Sequence, residues 1–140
     1  MKNKLLVFIL VFSLAFLGCP LTQKDPVTQA QEALATHQEL LEAAKGESLA
    51  GQIVQFESRL AKATPFLERD DRDLTKELIS AQKSLQKAHD AWHSAITKME
   101  KLSKASDSEK VTLQSEISSH IQTAESNVRT AESIIGRLKK

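Results

Sequence analysis

The sequence predicts an all-α protein, and three observations carry that expectation. Beyond an apolar leader the only aromatic residues are Phe56, Phe66 and Trp92, with no Tyr, whereas sheets are built largely from aromatic and β-branched side chains. Neither Gly nor Pro interrupts the chain between Phe66 and Ile135, and so long a stretch without a breaker favours helix. Apolar residues recur in steps of three and four through most of the chain, the pattern of packed, coiled-coil-like helices.

The elements follow in order from their stripes and their ends. Asp25 offers a capping oxygen and Pro26 occupies a first helical position, where a missing backbone donor costs nothing. The stripe then runs through Val27, Ala30, Leu34, His37, Leu41 and Ala44, and a second runs through Ile53, Phe56, Leu60, Ala63 and Leu67. At about 100° per residue these two stripes point roughly a third of a turn apart, so the Gly46–Gly51 region must bend or break the helix. Thr64-Pro65, followed by Asp70, Asp71 and Asp73, reads as the next break, with three acids available to cap a helix. A third stripe passes through Leu74, Leu78, Ala81, Leu85, Ala88, Trp92, Ala95, Met99 and Leu102. Ser106 with Glu109 three residues later is a capping-box pattern. It opens the last stripe, Ile117, Ile121, Ala124, Val128, Ala131, Ile135 and Leu138. The expected architecture is an elongated antiparallel three-helix bundle, roughly Pro26–Ala63, Asp71–Ser103 and Asp107–Lys139; the alternative is four helical segments with a turn at Gly46.

Ahead of the helices, Lys2 and Lys4 precede a thirteen-residue apolar run, Leu5–Leu17, which ends at Gly18-Cys19-Pro20. A basic start, a short apolar core and a small residue before the cut are the zones of a secretory signal. The run makes about 20 Å of helix against a hydrocarbon core of roughly 30 Å, too short to span. Phe16-Leu17-Gly18-Cys19 resembles the lipobox of bacterial lipoproteins, with Phe16 where Leu is usual and Leu17 where a small residue is usual. The resemblance implies cleavage between Gly18 and Cys19, an S-diacylglycerol on Cys19 and acylation of its new amino group. It divides the chain into a cleaved signal peptide at 1–18, a lipidated tether at 19–25 and a helical bundle domain at 26–140. It also implies a cell-envelope location, and Pro20, which is not the aspartate that commonly retains lipoproteins at the inner membrane, slightly favours the outer membrane.

Charge and cysteine content narrow the function classes. The chain holds 19 basic and 18 acidic residues; removal of Lys2 and Lys4 leaves 17 and 18, a net −1. That balance argues against nucleic acid as a partner and against electrostatic attachment to an anionic bilayer, so a lipid at Cys19 would have to supply the anchorage. Cys19 is the only cysteine, so the domain is expected to hold by packing without a disulfide.

Candidate chemistry is sparse, and no catalytic residue is assigned. His89 and His93 lie four apart on one helical face, a spacing that lets two imidazoles share a metal ion. Asp90 stands where the zinc-protease motif has Glu, and two partly exposed histidines beside a buried Trp92 account for the same residues. His37 and His120 lie on or beside the stripes of other helices. Asp70, Asp71 and Asp73 lack the frame of a calcium loop. None of the serines sits in a nucleophile elbow. The terminal Arg137-Leu138-Lys139-Lys140 resembles the end of the murein lipoprotein, whose last lysine is joined to peptidoglycan; the match would fall on Lys140. That family forms one uninterrupted helix where this chain is broken at Gly46, Pro65 and Ser106, and a cationic helix end complementing the macrodipole explains the same residues.

The expectation is therefore a non-enzymatic, lipid-anchored envelope protein without a cofactor, presenting a helical bundle to an envelope protein partner or serving a structural role. Self-association is a variant, because bundles and helical oligomers share one pattern. The alternative is a helical lipoprotein that binds a small ligand or metal through His89 and His93.

Overall fold

The computed structural model describes residues 24–45 and 52–138. The expected leader 1–18, Cys19, the bend or break expected at Gly46–Gly51 and Lys140 lie outside them. Among the described residues, four α-helices pack into an all-α bundle: α1 (Pro26–Ala44), α2 (Ile53–Leu67), α3 (Lys76–Leu102) and α4 (Asp107–Leu138), with a 3-10 turn at Asp71–Asp73 between α2 and α3. Of the two architectures considered, the chain adopts the four-segment one, with two short helices and two long. A single Pro26–Ala63 helix is excluded because α1 and α2 pack side by side. Arg69 Nη1, just past the end of α2, donates to the Lys24 carbonyl at 2.9 Å and to Gln29 Oε1 at 2.8 Å. The end of α2 therefore lies against the start of α1.

Each helix runs antiparallel to its neighbours in sequence. Gln82 Nε2 of α3 donates to the Phe66 carbonyl at 2.8 Å, while Trp92 stacks on Phe56 of α2 with ring centres 5.7 Å apart. Lys98 of α3 pairs with Glu116 of α4 at 2.8 Å across the Ser103–Ser106 turn. The α3–α4 contact is the most extensive, and α1 touches α2, α4 and also α3. α1 and α3 thus meet across the short diagonal of a flattened bundle, with α2 and α4 at the remaining corners. Fully buried alanines on the facing stripes, Ala30 of α1 and Ala81 and Ala88 of α3, permit that close approach, since small side chains let helix axes come together.

The ends show where local chemistry decides. Asp25 caps α1 through its carboxylate and the Thr28 backbone N–H at 3.0 Å, with Pro26 at the first helical position. Glu109 accepts from the Ser106 N–H at 2.9 Å, the reciprocal half of a capping box at the start of α4. Two expectations at the second break are corrected. α2 continues through Pro65 to Leu67, because the ring is exposed in the last turn and the neighbouring Phe66 is buried. The carbonyl left without its usual donor belongs to Ala61, an exposed residue on the solvent side of the helix. None of the three acids caps α3: Asp70 caps the 3-10 turn through the Arg72 N–H, and Thr75 caps α3 through the Leu78 N–H at 3.3 Å.

Candidate functional site

The predicted stripes converge on one core, and its largest buried side chains include Trp92, Phe56 and Phe66. Amid them lies a row of three histidines. His37 of α1 is fully buried, His89 of α3 is half-buried and His93 of α3 is exposed. The His37 and His89 ring centres are 6.0 Å apart and edge to face, and those of His89 and His93 are 4.7 Å apart. The row leads from solvent to the centre of the bundle across the α1–α3 diagonal. His120 does not join it; it lies on α4, where it acts on Glu116.

The 3.6-residue turn brings His89 Nε2 and His93 Nε2 to 3.1 Å. As a hydrogen bond, this contact needs a proton on one nitrogen and a lone pair on the other. Among the described residues, both nitrogens of His37, Nδ1 of His89 and Nε1 of Trp92 are buried without a hydrogen-bond partner. Orphaned polar atoms in a core are uncommon and costly. They therefore mark this part of the bundle as one where packing alone does not explain the residues chosen.

Burial, reinforced by the adjacent His89, pushes the His37 pKa down to about 4. Burial also lowers that of His89, with a further contribution from His93 and an opposing one from Asp90. Both rings are accordingly neutral near pH 7, so each keeps one bare nitrogen as an acceptor or ligand. Among the described residues, no group of three or more His, Cys, Asp or Glu side chains is arranged to hold a metal ion. Asp70 instead forms a two-pronged pair with Arg72, which lowers its pKa.

Elsewhere, a groove of about 390 Å³ runs between the second half of α1 and α4. Leu41, Ile121 and Val128 line it together with the ion pairs Lys45–Glu42 at 2.9 Å and Arg129–Glu125 at 2.6 Å. No described helix is long and apolar enough to cross a membrane. The sequence pattern picked out His89 and His93 by spacing and placed His37 on a stripe; their meeting depends on the register of α1 against α3, for which the chain carries no local signal. No protein-family model, curated protein or solved structure matches the chain.

Proposed function

We propose that the chain is a lipid-anchored protein of the bacterial cell envelope whose four-helix bundle serves as a non-catalytic interaction or structural module. The observation that carries this reading is the position of Lys24, five residues after Cys19. Its carbonyl is held by Arg69 at the end of the bundle where α1 begins and α2 finishes. A lipid on Cys19 would therefore hold that end close to the bilayer. The α3–α4 turn lies about twenty helical residues beyond Gln82, roughly 30 Å farther out.

Val54 and Val111, exposed at 77% and 68%, both lie toward the far end. Val54 is in the first turn of α2 and Val111 in the second turn of α4. Single exposed apolar residues are ordinary on any surface; here both fall where the anchor leaves the bundle free to meet a partner. The envelope protein is expected to dock there, with the outer membrane the favoured site by way of Pro20.

In-cell photo-cross-linking tests the reading, with the reactive residue placed at Val111, at Val54 or at exposed Lys83 near the start of α3. A defined envelope protein captured from Val111 or Val54 but not from Lys83 is the expected result. Adducts from Lys83 alone, or none from any position, would count decisively against a far-end partner.

A further inference from the structure

We propose that His89 and His93 form a binding site for a divalent late first-row transition-metal ion, zinc or copper, and that His37 is the positioning residue that accepts the hydrogen bond of His89 Nδ1–H when the ion binds. The proposal is independent of the anchoring reading and adds a ligand to a bundle otherwise read as a docking module.

The geometry of the pair is the first argument. Two nitrogens that share one tetrahedral zinc at roughly 2.0–2.1 Å each stand about 3.4 Å apart. The two Nε2 atoms are 3.1 Å apart on adjacent turns of α3, with His93 open to solvent, so a shift of a few tenths of an ångström makes them a chelate. Imidazole suits both ions. Two protein ligands leave positions for water or for a side chain supplied from outside.

The second argument is independent of the pair and explains His37. With both Nε2 lone pairs given to a metal, His89 must carry its proton on Nδ1, and a ligating histidine nearly always donates that proton to a fixed acceptor. His89 Nδ1 is on the buried side of the ring and has no partner. Its ring neighbour in the core is His37, fully buried, with both nitrogens unpartnered and ring centres 6.0 Å away. An N–H···N bond of about 2.9 Å brings two such rings to about 5 Å, so closing it requires the ring centres to approach by about 1 Å and the His37 ring to turn a bare nitrogen toward His89. Both His37 nitrogens lack a partner among the described residues, so the one without the proton is free to accept. Metal, His89 and His37 then form one chain that satisfies the orphaned His89 Nδ1 and one nitrogen of His37. On binding, the Nε2–Nε2 hydrogen bond opens, the ring that donated in it shifts its proton from Nε2 to Nδ1, both Nε2 lone pairs go to the ion, and no electron moves.

The test is calorimetric titration of the full chain in detergent with Zn2+ alone at pH 7, repeated with Cu2+. One ion per chain is expected, with affinity reduced at least tenfold in H89A and in H93A and unchanged in H120A. H37L should weaken binding by 10–100-fold while keeping native helicity, and H37Q, whose amide oxygen can accept, should recover part of that loss. Absence of stoichiometric binding, or binding that survives H89A and H93A, overturns the site. Equal affinity in H37L, H37Q and the unaltered protein overturns the role of His37. Should H37L fail to fold, exposed His93 still decides the site and H37Q the positioning role.

Discussion

At the scale of single residues, His37 sets how the bundle answers to acid. Its pKa of about 4 in the fold lies below the ordinary value of 6.5. Between those values the unfolded chain binds a proton that the folded chain refuses, so stability rises with pH across that window. The sign follows directly: above pH 6.5 His37 costs nothing, stability falls as the pH drops toward 4, and below 4 this residue takes no more. The shift corresponds to about 3 kcal/mol in full. Urea denaturation of the metal-free protein from pH 7 to pH 4 should show that decline, and H37L should remove most of it. A decline of the same size in H37L would assign it to the carboxylates. The sequence shows His37 on an apolar stripe but not that no acid faces it, since its surroundings come from another helix. His89 and His93 were legible because four-residue spacing places side chains together within one helix.

At the scale of elements, the second break shows the limit of local signals. Proline and a run of acids suggested a stop and a cap, yet α2 runs past exposed Pro65 and α3 is capped by Thr75. T75A should therefore cost about 1 kcal/mol, the usual loss for a capping hydroxyl, whereas D71A should cost almost nothing; chemical denaturation distinguishes the two. Gln82 matters more. Its side-chain amide donates to the Phe66 and Arg69 carbonyls at 2.8 and 2.9 Å, closing the end of α2 against α3. Q82A should cost about 1–3 kcal/mol because it strands buried acceptors, and hydrogen exchange should rise first in α2. The starts of α1 and α4 were legible because their caps act within four residues. The α1–α2 reversal was visible only as a change in stripe direction near Gly46–Gly51, and packing of α1 against α2 resolved it into two helices.

At the scale of the molecule, the apolar stripes read from the sequence are buried within one chain, among them Leu60, Leu85, Ala124 and Ile135. With its faces satisfied internally, the helical domain 26–140 without leader or lipid is expected to sediment as a monomer; a stable dimer would show that another surface carries self-association. The fold class was legible because helical periodicity repeats over every segment, whereas the flattened cross-section depends on which alanines face each other. A lipid on Cys19 is proposed to tie this bundle to a membrane. Labelled-palmitate incorporation with membrane fractionation, comparing the unaltered chain with C19A in a bacterial host, tests it most directly. A labelled protein in the membrane fraction and an unlabelled C19A protein are expected; an unlabelled chain, or C19A labelled as strongly as the original, contradicts a lipid at Cys19.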